Sequence, residues 1–425
     1  MAASCAQGSD TVNLASGVWG TFPSITSTID TDSYFGGAAG TITFPANGLY
    51  ASVEWTGLDI ASVFSRAGRM LLDGSTDAPC GPVSQHIANW GNISRGQFNA
   101  FTAGLKAGQY LELQARQDDP STEDCPGLFS VVRLPTDTCF STNQDQSVGL
   151  TDDTWEDLPM GTTFVEFGDW QNDGSSITVP DTGEYLILMR VGVTGSPNAD
   201  SSGVVTEVQV NASAIETTRQ TSYTSGHSYA VRSLTAGDVI TWRMKPEDFT
   251  GPTLVSSGLT VTKIADCVSL YNSTSQHIDN GSFTAYTFDS EYVDTAGYHD
   301  NVTNPSRITI PTGKGGKYLM MAKSDLGSVR DTQSAFYVNG SATVIWYVIN
   351  WDYTTYVIAV LDLADGDYVE FLGETDSGGG DTATNQEFAA VYLDPFTYTD
   401  LPLSSIPRCP WLSYWGWIAK ILRYV

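Results

Sequence analysis

The sequence has little positive charge, few histidines and no closely spaced cysteines, and each shortage excludes a class of protein. Its 425 residues include 20 Lys and Arg against 48 Asp and Glu, which gives a formal net charge of −28. Nucleic-acid binding through phosphate neutralisation needs a basic surface, so we expect no nucleic-acid partner. An acidic surface instead resists non-specific association.

Long apolar runs are also absent. No segment approaches the roughly 20 apolar residues that a membrane-spanning helix needs. The opening MAASCAQGSDT lacks the basic and then apolar regions of a secretory signal, so we expect none. Apolar residues nevertheless make up 41% of the chain, which predicts a folded protein rather than a disordered one.

Signals for catalysis are missing as well. The four histidines do not occupy matching places in the repeats described below, and neither a G-x-S-x-G nor an H-E-x-x-H pattern occurs. No cysteine pair has C-x-x-C spacing, which argues against zinc. We therefore expect a protein that is not an enzyme and has no cofactor.

Acidic residues recur in the loop before the last strand of each repeat, where carboxylates can bind calcium. They do not follow the spacing of a defined calcium loop, so solvated charge is the preferred interpretation. These residues are Asp118, Asp119, Glu123, Asp124, Glu247, Asp248, Glu374, Asp376 and Asp381.

What the sequence does contain is a threefold repeat. Residues 177–189 read ITVPDTGEYLILM, which predicts a strand, a tight corner and a second strand. Residues 42–53 read ITFPANGLYASV, and residues 308–320 read ITIPTGKGGKYLM with two extra residues in the corner. The prolines of these corners, at 45, 180 and 311, lie roughly 130 residues apart.

Two further markers keep the same order and roughly the same period. A turn with the pattern Leu-x-(Ala/Asp)-Gly-(Gln/Asp) has its glycine at 108, 237 and 366. A two-residue hairpin turn is predicted at Asp73-Gly74, Asn211-Ala212 and Asn339-Gly340. Three signals in register predict three tandem all-β units.

Each unit offers about eight short strands and no helix, which favours an antiparallel jelly-roll β-sandwich. We predict jelly rolls at residues 1–136, 137–265 and 266–397, called repeats 1, 2 and 3 below. The connections between them are very short and contain no Gly/Ser linker. We therefore expect the three units to stack with little freedom, as a rod.

The cysteines follow the same period. Cys5, Cys139 and Cys267 each open a repeat, and we interpret them as buried or surface thiols rather than metal ligands. Cys80 and Cys125 both lie in repeat 1 and form a disulfide only if the environment is oxidising. That alternative stays open.

The last segment, residues 398–425, differs from the rest. Prolines at 402, 407 and 410 favour an extended path, and WLSYWGWIAKILRYV from Trp411 to Val425 reads as a short amphipathic helix. From residue 401 onward there are basic residues and no acidic one. We predict that this tail docks into a partner through Trp411, Trp415, Trp417, Ile418, Lys420, Ile421, Leu422 and Arg423. Folding back onto repeat 3 is the main alternative, and a membrane-surface helix is the less favoured one.

The repeated pattern resembles the jelly roll of the tumour-necrosis-factor and complement-globular-head family. Repeat 2 carries the resemblance best, through Val179, Pro180, Gly183, Tyr185, Leu234, Ala236, Gly237 and Asp238. Repeat 1 departs from it with Gln109, and repeat 3 with a longer corner and Asp365. The resemblance implies a binding or structural module that forms trimers. Similar tandem jelly rolls occur in virion proteins of tailed viruses. A virion protein is therefore expected here by analogy of fold.

The leading hypothesis is a non-enzymatic virion structural protein of a bacteriophage type. It would be a homotrimeric capsid decoration or head fibre, anchored by its tail to the major capsid protein or another virion component. The alternative is a tail fibre or receptor-binding protein that contacts a host surface glycan or protein. A glycan-processing enzyme would need paired carboxylates in a cleft, and nothing in the sequence places such a pair.

Overall fold

The computed structural model of the chain is all-β throughout the part it describes, which confirms the predicted fold class. The predicted C-terminal helix lies outside the described residues. None of the described residues forms a helix with the length and apolarity needed to cross a membrane. The described residues are 4–15, 18–23, 25–35, 40–56, 66–73, 97–117, 123–135, 137–144, 147–197, 203–220, 225–327, 332–348, 354–375 and 378–393.

The strands form three consecutive sets, one for each repeat. Repeat 1 contains β1 (Cys5–Leu14), β2 (Trp19–Thr21), β3 (Thr26–Asp30), β4 (Thr41–Thr43), β5 (Gly48–Thr56), β6 (Arg66–Leu72), β7 (Gln97–Leu105), β8 (Tyr110–Gln117) and β9 (Glu123–Leu134). Repeat 2 contains β10 (Cys139–Gln144), β11 (Val148–Gly149), β12 (Glu156–Asp157), β13 (Thr162–Phe167), β14 (Gln171–Asn172), β15 (Ile177–Thr178), β16 (Gly183–Pro197), β17 (Gly203–Val210), β18 (Ser213–Gln220), β19 (Ser225–Leu234), β20 (Val239–Glu247) and β21 (Phe249–Ile264). Repeat 3 contains β22 (Cys267–Tyr271), β23 (Gln276–Ile278), β24 (Thr284–Ala285), β25 (Ser290–Asp294), β26 (Arg307–Thr309), β27 (Gly316–Leu326), β28 (Thr332–Val338), β29 (Ser341–Val348), β30 (Thr354–Leu363), β31 (Tyr368–Thr375) and β32 (Asp381–Tyr392).

Each repeat is a sandwich of two antiparallel sheets, and the strand order repeats. One sheet of each repeat, which we call the axial sheet, has the order β3-β1-β9-β5-β7, β13-β10-β21-β16-β19 or β25-β22-β32-β27-β30. The second, or outer, sheet has the orders β2-β8-β4, β14-β15-β20-β17-β18 and β24-β31-β28-β29. The three repeats therefore share one topology.

The proline corners take the chain from the outer sheet to the axial sheet. In each corner a buried tyrosine hydroxyl donates a hydrogen bond to the carbonyl oxygen four residues earlier. The O···O distances are 2.9 Å from Tyr50 to Ala46, 2.7 Å from Tyr185 to Asp181 and 2.6 Å from Tyr318 to Lys314. Because the proline fixes one backbone dihedral and the tyrosine ties the loop to the next strand, the corner is held from both sides.

The glycine turn closes against the same corner. The Gly237 amide donates to the Val179 carbonyl at 2.9 Å, and the Val179 amide donates to the Asp238 carbonyl at 2.8 Å. Equivalent bonds form in the other two repeats. Gly108, Gly237 and Gly366 have φ of 83°, 94° and 84°, which a residue with a side chain rarely adopts.

The hairpin turn joins the group through a side-chain bond. The Asn211 amide group donates to the Asp238 carboxylate at 2.7 Å, and repeat 3 repeats this with Asn339 and Asp367, also at 2.7 Å. Repeat 1 exchanges the roles, because the Gln109 amide group donates to the Asp73 carboxylate at 3.0 Å. The three sequence markers thus meet at one end of each sandwich, and the departure at Gln109 is compensated by Asp73.

Each axial sheet lies between two apolar cores, one inside its own sandwich and one shared between the repeats. Along β16, Tyr185, Ile187 and Met189 pack inside repeat 2, whereas Leu186 packs into a cluster shared by all three repeats. This alternation follows from the two-residue period of a strand. The shared cluster also includes Val132 and Leu134 of repeat 1, so apolar side chains of the axial sheets cover one another.

The repeats are arranged in a closed ring. The edge strand of one axial sheet lies against the axial sheet of the next repeat: β7 against β13, β19 against β22 and β25, and β30 against β1, β3 and β9. The last of these joins repeat 3 back to repeat 1. Equivalent strands thus meet at all three junctions, and the third junction closes a head-to-tail ring.

The predicted linear rod is therefore wrong. A rod would leave the axial sheets of the end repeats facing water, whereas the ring buries residues such as Leu134, Leu186 and Leu319 to 4% exposure or less. Burying one such side chain is worth about 1.5–3 kcal/mol. One chain thus contains the three-fold packing that the resemblance assigns to three chains, and assembly of three copies stays a prediction.

Cys5, Cys139 and Cys267 begin β1, β10 and β22 at equivalent positions and are free thiols. Of the two predicted settings, buried or at the surface, the structure shows the buried one. Burial raises the pKa of Cys139 to about 12, and it also raises the pKa of Cys267. These thiols therefore stay protonated and pack as small apolar groups. Cys80 lies outside the described residues, so the Cys80–Cys125 alternative stays open.

Candidate functional site

The predicted docking residues are not placed by the structure. Trp411, Trp415, Trp417, Ile418, Lys420, Ile421, Leu422 and Arg423 all lie outside the described residues, as does the whole of 398–425. Docking through this tail therefore stays a prediction. What the structure does place is the set of interfaces that close the ring.

The acidic loop of repeat 2 is occupied by ion pairs. Glu247 accepts from Arg219 Nε at 2.5 Å and lies 2.5 Å from Lys245 Nζ. Although burial alone raises the pKa of Glu247, these two cations lower it below its usual value. Within the described part of the chain, no three His, Cys, Asp or Glu side chains are grouped to hold a metal ion. Asp118, Asp119 and Asp376 lie outside the described residues.

The most unusual group of side chains lies between repeats 2 and 3. Glu216 on β18 and Arg232 on β19 meet Lys323 on β27 and Glu387 on β32, and we call these four residues the charge cluster. Their side chains are 0%, 6%, 2% and 8% exposed. Fully ionised groups are rarely this buried unless they are paired.

Each cation of the cluster contacts both carboxylates. Lys323 donates to Glu216 Oε1, and its Nζ lies 3.9 Å from Glu387 Oε1. Arg232 Nη2 lies 3.2 Å from Glu387 Oε1 and 3.8 Å from Glu216 Oε2. The cluster therefore alternates in sign and joins the two repeats.

Arg232 is held by more than its carboxylates. Its guanidinium carbon lies 3.4 Å from the centroid of the Tyr292 ring on β25. Its Nη2 donates to the Ile215 carbonyl oxygen at 2.7 Å, and its Nη1 donates to the Val231 carbonyl oxygen at 3.0 Å. The planar group is thus fixed by stacking and by fork-like hydrogen bonding, which a lysine cannot reproduce.

A second set of bonds extends the interface along β27. Asp325 accepts a hydrogen bond from Asn385 Nδ2 at 2.8 Å. The Thr354 hydroxyl lies 2.5 Å from Asp325 Oδ1 and 2.7 Å from the Arg219 carbonyl oxygen of repeat 2. Side chains of repeat 3 therefore reach the backbone of repeat 2.

Burial and mutual charge set the protonation of these groups. Burial, and after it the Glu387 carboxylate, raises the pKa of Glu216. Burial alone lowers the pKa of Lys323, but the Glu216 and Glu387 carboxylates outweigh it and raise that pKa. Lys323 is therefore a cation at any physiological pH.

At the positions equivalent to Lys323, the sequence carries other residues in repeats 1 and 2. Lys323 stands five residues after the corner tyrosine Tyr318, where repeat 2 has Arg190 and repeat 1 has Trp55. Glu387 pairs with Lys323 across the sheet, where repeat 2 pairs Gly258 with Arg190. The strand plan is repeated, but the side chains that cross from repeat to repeat are not.

The interface between repeats 3 and 1 is built differently. Gln7 on β1 accepts hydrogen bonds at Oε1 from the Val360 amide at 2.8 Å and from the Ser130 hydroxyl at 3.1 Å. Around it the shared cluster is apolar. Among the described residues, Gln7 thus ties this interface with a neutral amide group, whereas the charge cluster ties the other.

A cavity of about 50 Å³, measured as the space open to the centres of water molecules, lies where the three repeats meet. Val132, Leu188 and Ile358 represent its mostly apolar lining, one from each repeat, and Arg190 and His227 also border it. Burial, and then the Arg190 charge, lowers the pKa of His227 to about 3, so this imidazole is neutral. Such a volume is enough for a few water molecules.

Sequence reasoning did not single out the charge cluster, although a signal was present. Lys323 follows the apolar run Tyr318 to Ala322 in a predicted strand, and Glu387 directly precedes FAAVY. A charged residue inside an apolar strand predicts either a partner or an exposed face. The partner of such a residue depends on how the repeats pack. The predicted rod gave no reason to pair Lys323 with Glu216.

No family model matches the chain, and no curated protein matches it. Among solved structures, murine APRIL is similar over 30% of this chain and 100% of its own, at 18% identity and a TM-score of 0.24. A protein with the triple jelly-roll fold from the turret assembly of an archaeal virus is similar over 91% of both chains, at 12% identity and a TM-score of 0.19. PNGF-II is similar over 78% of this chain and 85% of its own, at 9% identity and a TM-score of 0.24. At these TM-scores, none of the three supports a conclusion about what this chain does.

Proposed function

We propose that the protein is a non-enzymatic structural component of a virion, a capsid decoration or head-fibre protein attached through its C-terminal tail. The observation that carries the proposal is the closed ring of three jelly rolls within one chain. Its conserved strand order and buried inter-repeat ties make one stiff unit, as a projecting particle component requires. The ring is already three-fold, and a homotrimer of rings is a further part of the proposal.

The described polar clusters support a structural role. The charge cluster, Gln7 and the paired Asn211 and Asp238 each hold one part of the fold to another. A catalytic group would need a reactive side chain at a cleft that substrate can enter. In the described residues, the strongest ionic group instead lies sealed between repeats.

The tail supports attachment as the way the ring joins something larger. Its tryptophans at 411, 415 and 417 offer large apolar area, and its basic residues contrast with a chain of net charge −28. Aromatic and arginine residues dominate the binding energy of many interfaces. The capsid surface or another virion component would be the partner.

The experiment compares the full chain with a variant that lacks residues 401–425. Both are added to particles of the parent virus that lack the protein, and bound protein is measured after sedimentation. We expect the shortened chain to keep its β-sheet circular dichroism and its melting temperature but to lose attachment. Unchanged attachment would exclude the tail as anchor.

A matched pair of full-length variants separates aromatic docking from a general effect of the tail. Trp411→Ala combined with Trp415→Ala removes apolar area, whereas Ser413→Ala alters the opposite side of the predicted helix. We expect only the first variant to detach. If the intact protein binds host cells and not particles, the receptor-binding alternative replaces the decoration role.

A further inference from the structure

The charge cluster and its neighbour Asp325 contain more carboxylates than cations. Besides the four residues of the charge cluster, the half-buried Asp325 lies two positions after Lys323 on β27. Among the described residues, three carboxylates therefore face two cations. An unbalanced charge in a desolvated place is costly, and binding one proton removes the imbalance.

The cluster exists only when the interface is closed. Glu216 and Arg232 come from repeat 2, whereas Lys323, Asp325 and Glu387 come from repeat 3. If the two repeats separate, water solvates each group and the carboxylates regain their ordinary behaviour. Closure therefore changes the number of protons that the same residues hold.

Two carboxylate oxygens of the cluster have no hydrogen bond within the described part of the chain. Glu216 Oε2 and Glu387 Oε2 are both buried, and neither accepts a hydrogen bond from the described residues. Arg232 Nη2 lies 3.8 Å from Glu216 Oε2, too far for a hydrogen bond. The hydrogen-bond contacts with cations are made at Oε1 of each carboxylate, since Lys323 donates to Glu216 and Arg232 to Glu387. A proton on Glu216 Oε2 leaves those contacts intact.

We propose that closing the interface between repeats 2 and 3 takes up a proton into these carboxylates, so that the ring is tightest in mild acid and loosens as the pH rises. The pKa directions agree with this. Burial, and after it Glu387, raises the pKa of Glu216, and burial raises the pKa of Asp325. The inference does not depend on the virion role.

The direction of the pH dependence follows from the linkage between proton binding and closure. A carboxyl whose pKa is higher in the closed state holds its proton to higher pH than the same carboxyl in the open state. Its contribution is complete below the ordinary glutamate pKa and disappears as the pH rises through the raised value. The closed ring therefore loses stability between mild acid and mild alkali.

Tyr229, Tyr292 and His227, which lie close to the cluster, do not titrate in that window. Burial raises the pKa of Tyr229 on β19 and raises that of Tyr292 on β25 to about 12. Burial and Arg190 lower the pKa of His227 on β19 to about 3. On β18, Arg219 pairs with Glu247, and on β30 the Tyr356 hydroxyl donates to the His227 carbonyl at 3.1 Å.

The test uses the full chain with Glu216→Gln, which mimics the protonated acid, and Glu291→Gln as a control on the exposed face of β25. Urea unfolding is measured from about pH 5.5 to about pH 9. We expect the folded-to-unfolded ratio of E216Q, relative to that of the wild type, to increase as the pH rises. The increase should reach up to about tenfold per pH unit. E291Q should stay parallel to the wild type. An E216Q curve parallel to the wild type overturns the proposal.

If E216Q does not fold, the wild type alone decides the question. Hydrogen exchange, corrected for the intrinsic pH dependence of the amides, is compared at about pH 6 and about pH 8.5. We expect protection of β18 and β19 to fall at the higher pH while β1 and β9 keep theirs. Equal behaviour of the two interfaces contradicts proton-linked closure.

Discussion

The two interfaces of repeat 3 have the same arrangement, the edge strand of one axial sheet against the axial sheet of the next, but different chemistry. Toward repeat 2 it offers Lys323 and Glu387 to a buried ionic group, and toward repeat 1 it offers the Val360 amide to the neutral side chain of Gln7. Because the backbone plan is the same on both sides, the difference lies in the side chains. Comparing the two interfaces separates what apolar packing contributes from what buried charge contributes.

Apolar packing supplies cohesion, and the ionic group supplies selectivity. A buried ion pair contributes little net stability, since desolvation of both charges offsets their attraction. A wrong neighbour, however, would leave buried charges unpaired at a large cost. The charge cluster therefore fixes which surface of repeat 3 packs on repeat 2, while the interface with repeat 1 can rely on shape.

The largest effect is expected from Lys323→Ala, which leaves Glu216 and Glu387 buried beside one cation. We expect unfolding free energy to fall by about 3–5 kcal/mol. Lys317→Ala is the control, because Lys317 pairs with the exposed Asp362 and should cost less than about 1 kcal/mol. Urea denaturation measures both. Equal losses would remove the distinction between the buried and the surface ion pair.

A smaller effect is expected at the neutral interface from Gln7→Ala. The change leaves the Val360 amide and the Ser130 hydroxyl without their acceptor, at a cost of about 1–3 kcal/mol. Gln171→Ala, at an exposed position on β14, should change stability by less than about 0.5 kcal/mol. If Gln7→Ala costs more than Lys323→Ala, the roles assigned to the two interfaces are reversed.

Inside the three repeats, equivalent substitutions should have equal effects on stability. Tyr185→Phe removes only the hydroxyl bond to the Asp181 carbonyl, and we expect a loss of about 0.5–1.5 kcal/mol. Tyr50→Phe and Tyr318→Phe should cost about the same, since their corners are equivalent. Thermal unfolding of the three variants checks this. Widely different values would mean that the repeats diverge internally as well as at their interfaces.

The smallest effect is expected from the exchanged pair of repeat 1. Gln109→Asp sets a second carboxylate against Asp73 and should destabilise the protein by less than about 1 kcal/mol. Adding Asp73→Asn recreates the arrangement of Asn211 and Asp238 and should restore the wild-type value. A double-mutant cycle measures the coupling, and additive losses would show that the two residues act independently.

Local features could be predicted from the sequence because their chemistry is local. The proline at 180 and the tyrosine at 185 predicted a strand, a corner and a strand, and the glycine at 237 predicted a turn. Even the departure at Gln109 pointed to a real difference. Its reason was missed, because the compensating Asp73 lies in another marker.

The interfaces could not be predicted in the same way. The alternation along β16 predicts that Leu186 and Leu188 face away from the sandwich core, but not what covers them. The short connections are compatible with a rod and with a ring. The ring differs from the rod by the area that repeat 3 buries against repeat 1. That area is contributed by strands far apart in the sequence.

The amino-acid sequence alone thus determined the strand pattern, the corners and the threefold repetition, since each depends on residues a few positions apart or on backbone dihedrals. Tertiary structure decided the ring, the charge cluster and the cavity between the repeats. Arg232 and Glu387 are 155 residues apart, and Gln7 and Val360 are 353 apart. Contacts at such separations are set by the burial of whole sheets, which no local pattern contains.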